Sequence, residues 1–360
     1  MHRTFLIVSD IHYRLDNIKK LQIWLIQKDR LKEIDFIIAC GDLVNGTPIT
    51  TEKDKQEFQE VISALKCFDK PLYYIPGNHD PDTSFLPQDQ KDNLNQTSDE
   101  RPITRNFHNE SVQLAPGLSI VGFGGSIDGV LRNSPETVIW PGNGGLIPYI
   151  TDQEHYTQIF SDYYTFYVYS KNFMTHACPE NTETFLAEKL PILIDQVNND
   201  DIILVTHFGP FKTGTTDVDK YPLQSSYAIE SGSKVLRDMI ASRSPLSPDE
   251  SSKQYIMLNI HGHSHYPFGL SHIGQTMIVN PSALRDGRFA ILSLAQIDKD
   301  EFMEKDKERR EYMKSFSRDK IWILGGVEFL LLYDLIGAAT RVVNPYFVSI
   351  VRSFSPKFSN

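Results

Sequence analysis

Five short polar clusters in this 360-residue chain carry residue types that bind metal ions or move protons. They are Asp10-Ile11-His12, Gly41-Asp42, Gly77-Asn78-His79-Asp80, the single His207, and His261-Gly262-His263-Ser264-His265. Carboxylate and amide oxygens mixed with imidazole nitrogens suit six-coordinate Mn or Fe, and in part Zn, rather than an all-thiolate structural zinc site. Two such ions about 3.5–4 Å apart clamp the attacking and leaving oxygens of a phosphoryl transfer. Taken singly, each cluster is weak. Gly and Asp are ordinary turn residues, and a lone histidine after a strand is more often structural than a ligand. Strand alternation alone would turn His261, His263 and His265 to one face, which leaves open how many of the three ligate.

Each cluster closes an apolar run. The runs are FLIVSDIH (5–12), FIIACGD (36–42), LYYIPGNHD (72–80), IILVTHFGP (202–210) and YIMLNIHGHSH (255–265). SIVGFGGS (119–126), TMIVNPSAL (276–284) and RFAILSL (288–294) have the same form. Their length and their content of Val, Ile, Tyr and Phe predict buried strands. Between the first of them, 17–31 places Ile18, Leu21, Leu25 and Ile26 on one helical stripe, and 51–65 does the same with Phe58, Val61, Ile62 and Leu65. Strand–helix alternation predicts a layered α/β fold with the polar clusters at strand C-terminal ends, where open α/β sheets place ligands. Residues 81–105 read as an exposed loop. Residues 128–190, with Tyr163, Tyr164, Phe166, Tyr167 and Tyr169 close together, read as aromatic core or as an insertion lining a pocket.

Taken in order, Asp-x-His, Gly-Asp, Gly-Asn-His-Asp, a strand-end His and Gly-His-x-His form a series that resembles the calcineurin-like metallophosphoesterase superfamily. The resemblance runs from Asp10 to His265 within residues 1–295. It implies a four-layer α-β-β-α sandwich of two mixed sheets, with the site on loops at one edge. It also implies two divalent or mixed-valence ions of Mn, Fe or Zn. Asp10, His12 and His265 would hold the first, Asn78, His207 and His263 the second, and Asp42 would bridge them. Hydroxide between the ions would attack phosphorus in line, and His79 would protonate the departing oxygen. His263 and His265 then reach different ions, while His261 stays behind as a structural neighbour. The protein Ser/Thr phosphatases of this superfamily carry Gly-Asp-x-x-Asp-Arg-Gly. Here Asn45 stands where an acid would pair with the catalytic histidine, and no Arg follows. The motif set looks more like the phosphodiesterase-type and small-substrate branches. Pocket walls are expected from Tyr13, the loop after His79, the segment 208–232 and Tyr266.

A formal charge of −10 argues against a general grip on nucleic acid, which needs a dense basic surface. A small phosphoester is the expected substrate. Cys40, Cys67 and Cys178 are few, odd in number and scattered, which fits an intracellular reducing compartment, such as the cytoplasm. After residue 295 the pattern changes. Residues 296–320 read as a charged helical connector, and 321–360 as an apolar, helical C-terminal extension. Glu328, Asp334, Arg341 and Pro345 interrupt 321–351, whereas a spanning helix needs about 20 nearly uninterrupted apolar residues. No transmembrane span is therefore expected, and 321–351 is left as a docked helix, a contact for a protein partner or a peripheral membrane-surface contact. A scaffold working through this extension is the rival to an enzyme. A chain ending near Leu294 is expected to keep turnover.

Overall fold

The computed structural model describes residues 1–46, 51–81, 84, 102–125, 129–131, 139–140, 179–197, 200–218, 229–243, 255–265, 267–305, 319–332 and 340–342. In chain order these form β1 (His2–Val8), α1 (Leu15–Gln27), β2 (Phe36–Cys40), α2 (Glu52–Lys66), β3 (Leu72–Ile75), β4 (Thr104–Asn106), β5 (Glu110–Ala115) and β6 (Leu118–Phe123). Next come β7 (Gly129–Leu131), β8 (Ile139–Trp140), α3 (Pro179–Asp195), β9 (Asp201–Thr206), β10 (Asp217–Val218), β11 (Ile229–Glu230) and α4 (Lys234–Ser242). The chain continues through β12 (Ile256–Ile260), β13 (Gly269–Ile273), β14 (Thr276–Asn280), β15 (Arg288–Asp298), α5 (Lys299–Lys305), β16 (Lys320–Leu331) and β17 (Thr340–Val342).

Two mixed sheets carry the fold, in the orders β17-β16-β15-β1-β2-β3-β4 and β13-β14-β12-β9-β6-β5; a small third sheet runs β10-β11-β7-β8. Alternation along the strands explains the layers. In β1, Phe5 and Ile7 enter the core between the large sheets, while Leu6 and Val8 face α1 and α2. In β9, Ile203 and Val205 share that central core, while Ile202 and Leu204 face Leu186 and Leu190 of α3 and Leu236 and Ile240 of α4. The result is the expected α-β-β-α sandwich. Helix α2 begins on a reciprocal cap, in which Thr51 accepts from the Asp54 amide and Asp54 accepts from that of Thr51. Helix α1 ends at Gln27, short of the expected Leu31, as Asp29 turns to φ 55°.

The C-terminal expectation changes. Lys320–Leu331 is a strand, not a helix, antiparallel to β15, and the boundary drawn at residue 295 falls inside β15. Ile321, Trp322, Ile323, Leu324, Val327, Phe329 and Leu330 are all buried. A strand covered on both faces reads as a continuous apolar run, and periodicity cannot separate it from a buried helix. Gly325 is the extra residue of a bulge opposite Ser293 and Leu294. Glu328, whose charge interrupts the run, pairs with Arg30 through two hydrogen bonds of 3.2 Å. Trp322 ties this strand to the other sheet. Its amide donates to Asp201 (2.7 Å) and its indole N–H to the carbonyl of Pro116 (3.1 Å). Within the charged connector, α5 is helical, and residues 306–318 lie outside the described residues. So do most of 81–105 and 128–178 and all of 343–360. Among the described residues no helix is long and apolar enough to cross a membrane.

Candidate metal centre

The polar clusters gather because their strands are parallel neighbours. β1, β2 and β3 lie side by side in one sheet, as do β9 and β12 in the other. Asp10 and His12 follow β1, Asp42 follows β2, and Asn78 and His79 follow β3; His207 follows β9, and His263 and His265 follow β12. The loops leave the strands abruptly. Asp10, His12, Asp42 and His263 take φ values of 50°, 49°, 52° and 63°, a left-handed region that non-glycine residues enter rarely and that the surrounding structure must enforce. Gly41, at φ 93°, meets the same demand without a side chain, and a Cβ there would come within 2.5 Å of His207 Nδ1.

Two donor groups result. One joins Asp10, His12, Asp42 and His265, the other Asp42, His207 and His263; the ligand atoms of each lie within 4.8 Å of one another. Asp42 belongs to both. His265 Nε2 lies 2.9 Å from Asp10 Oδ1 and 3.1 Å from His12 Nε2. His207 Nε2 is 3.2 Å from Asp42 Oδ2 and 3.1 Å from Asn78 Oδ1, and His263 Nδ1 is also 3.1 Å from that amide oxygen. The amide nitrogen of Asn78 is buried without a partner, so it is the oxygen that faces the cluster. Largely buried carboxylate, amide and imidazole donors converging on one place fit divalent cations.

Electrostatics divide the histidines. Burial pushes His12 down to about 4, and burial with the neighbouring His207 pushes His263 down to about 3. Both are neutral at physiological pH. Burial also opposes charge on His207, but the Asp42 carboxylate outweighs it and raises this imidazole to about 9. Its Nδ1–H donates to the carbonyl of Cys40 (2.7 Å). Asp10 and Asp42 are fully buried, yet His265 holds the first below the usual carboxylate range, and His207 with His79 holds the second well below it. His79 is half-buried at the rim. Its amide donates to Asp42 Oδ1 (2.8 Å), and its ring centroid stands 5.3 Å from that of His12.

The remaining sequence candidates divide in the same way. His261 is fully buried and outside both donor groups; its Nε2 meets Thr215 Oγ1 at 2.9 Å and its Nδ1 the Gly262 carbonyl at 3.0 Å. Asn45, expected opposite the catalytic histidine, instead bonds His12, with Nδ1 to Oδ1 at 2.7 Å and Nδ2 to the His12 carbonyl at 2.9 Å. Phe208, expected in a pocket wall, is fully buried in the core beneath α3 and α4. Tyr13 donates its phenol to Glu60 of α2 (2.5 Å), and the side chain of Tyr266 lies outside the described residues.

Asp80 closes the Gly77-Asn78-His79-Asp80 cluster, and the sequence gives it no more than a part in orienting a neighbour or capping the turn. One of its oxygens accepts from the amides of Leu43 (2.7 Å) and Val44 (3.1 Å), the other from that of Gly77 (2.7 Å). It thereby sews the loop carrying Asp42 to the loop carrying Asn78. Burial and the Asp42 charge push it up to about 7. Beyond β14, Asn280 donates to the carbonyl of Ser264 (3.0 Å), and Ser282 donates to that of His265, fixing the histidine loop. The fourth residue of Gly-Asn-His-Asp and the polar run after β14 were the available signals.

The family model described as calcineurin-like phosphoesterase matches residues 3–267. Solved structures align at low identity. A protein of Thermus thermophilus is 16% identical, over 81% of this chain and 94% of that one, with a TM-score of 0.43. A dimetal phosphatase from Danio rerio is 10% identical, over 81% and 92%, with a TM-score of 0.43. GAP50, described as the anchor in the inner membrane complex of Plasmodium, is 10% identical, over 95% and 89%, with a TM-score of 0.44. At these identities and TM-scores the likenesses say nothing about activity. No curated protein matches the chain.

Proposed function

The chain belongs to the calcineurin-like phosphoesterase family, and from that premise we propose that it is a dinuclear metal-dependent phosphoesterase acting on a small phosphodiester or phosphomonoester. One observation carries this reading: two donor groups drawn from four strand ends share a single buried carboxylate, Asp42. Asp10, His12 and His265 would hold one Mn, Fe or Zn ion, Asn78, His207 and His263 the other, with Asp42 between them. When bound, such a pair supplies electrophilic charge at phosphorus and water activated for attack near neutral pH.

The protein's own part is positioning and proton handling. Asp10 and Asp42, held below the usual carboxylate range, would offset the ions' charge. His12 and His263 are neutral and ready to donate lone pairs. His207, held protonated beside Asp42, would have to give up that proton to serve as a ligand. His79 sits at the rim with its backbone anchored on Asp42, which supports its delivering a proton to the leaving oxygen. The test is reconstitution with Mn, metal counting, and release of nitrophenol from bis-p-nitrophenyl phosphate and p-nitrophenyl phosphate. Turnover is expected with two ions bound, and its loss in Asp42→Ala and His263→Ala. Protein that binds two ions and cleaves neither compound nor any nucleotide phosphoester would refute the enzyme reading in favour of a scaffold.

A further inference from the structure

We propose that Asn45 is the positioning residue that sets the tautomer of His12 and so aims its Nε2 lone pair into the donor cluster. The inference rests on the metallophosphoesterase reading for its purpose, but its geometry stands alone. One group in the contact has a fixed role. The His12 carbonyl can only accept, so the atom of Asn45 that lies 2.9 Å from it must be the amide nitrogen. Exchanging oxygen and nitrogen would set two acceptors against each other. With Nδ2 committed, Oδ1 is the atom 2.7 Å from His12 Nδ1. An amide oxygen only accepts, so Nδ1 must carry the proton. A neutral imidazole with Nδ1–H has its lone pair on Nε2, the atom 3.1 Å from His265 Nε2 and 3.9 Å from Asp42 Oδ2. Three hydrogen-bonding roles therefore follow in sequence from a single carbonyl.

The carboxamide suits this task better than the acid that the protein Ser/Thr phosphatases carry at the position. A carboxylate also accepts from Nδ1–H, but it has no donor for the His12 carbonyl and adds a further negative charge to a site that already holds Asp10 and Asp42. Asn45 is itself exposed, so replacing it leaves the core untouched. A hydrogen-bond partner behind a metal-binding histidine is worth about 10–100-fold in metal affinity, and Asn45→Ala is expected to lose that much Mn affinity at the group containing His12.

The decisive measurement needs no metal. In metal-free protein with ¹⁵N-labelled histidine, two-bond proton–nitrogen correlations report which ring nitrogen is protonated, and His12→Gln identifies the His12 signals. Wild type is expected to show Nδ1–H at His12. Asn45→Ala should shift it to a mixture or to Nε2–H, and Asn45→Asp should restore Nδ1–H. Mn titration of the same three proteins should rank Asn45→Ala as the weakest binder. An Asn45→Ala protein with an unchanged His12 tautomer and unchanged Mn affinity would overturn the proposal. If the tautomer shifts as expected but no phosphoester is cleaved, the positioning role holds and the enzyme reading alone fails.

Discussion

Asp80→Asn is the sharpest test of how the site is built, because it changes one atom and touches no proposed ligand. The carboxylate accepts three backbone N–H groups, two from the loop after β2 and one from the loop after β3. Asparagine keeps one accepting oxygen. In its best orientation that oxygen retains Leu43 and Val44, and the new NH₂ group faces the buried amide of Gly77. A buried donor left unpaired costs about 1–3 kcal/mol, small against a typical net stability of about 5–15 kcal/mol, so the variant should fold. Relief of repulsion from Asp42 offsets part of this loss in metal-free protein, which makes metal affinity the more telling readout. Freed from Gly77, the Asn78 loop no longer holds its distance to Asp42, and Mn affinity should fall about 10–100-fold, as for other partners that orient a ligand. The assay is calorimetric Mn titration of both proteins at pH 8, above the Asp80 pKa of about 7, with urea unfolding as the control for folding. A folded Asp80→Asn protein that binds Mn as wild type does would refute the idea that Asp80 sets the spacing of the two loops.

As a ligand, His207, raised to about 9, would have to release its proton, so Mn affinity at its group should climb about tenfold per pH unit and level off above pH 9. Titration in two buffers of different ionisation enthalpy should count about one proton released, and no release would contradict the His207–Asp42 pairing. In metal-free protein the sign is opposite: this pair stabilises the fold fully below pH 6.5, and the contribution is lost as pH rises through about 9. Trp322→Ala should cost about 3–5 kcal/mol in urea unfolding followed by circular dichroism, and a chain ending at residue 319 should not fold; soluble, active protein from that shorter chain would restore the view of the C-terminal segment as an appendage. His261→Asn should bind two Mn ions per chain, and a stoichiometry of one would make His261 a ligand after all.

The donor residues were legible because each occupies a strand end, and strand ends are marked twice in the sequence, by the apolar run and by the polar residues that stop it. Asp10, Asp42, Asn78, His207 and His263 all sit one to three residues past Val8, Cys40, Ile75, Thr206 and Ile260. What Asp80 and Asn45 do through backbone atoms was not legible, although both stand in motifs that the sequence displays. The value of Asp80 lies in three amides that converge on its carboxylate only after two loops fold, and that of Asn45 in the His12 carbonyl, which it meets only once those loops are placed. The C-terminal strand was hidden for another reason. Its charge at Glu328 looks like a break in an apolar segment, yet Arg30, 298 residues away, neutralises it at the sheet surface.

That strand bears on the site although it lies outside it. Neither donor group belongs to one sheet: the first takes Asp10, His12 and Asp42 from one and His265 from the other, and the second joins Asp42 to His207 and His263 across the same divide. Distances near 3 Å between these atoms therefore require the two sheets to hold a fixed separation and register. Phe5, Ile7, Ile38 and Ile75 on one side and Ile203, Val205, Leu258 and Ile260 on the other supply that registration beneath the site. Trp322 supplies it from β16, with hydrogen bonds into the opposite sheet at Pro116 and Asp201. A cation held by residues of both sheets would act on the same coordinate as the core that clamps them, so each would strengthen the other by linkage.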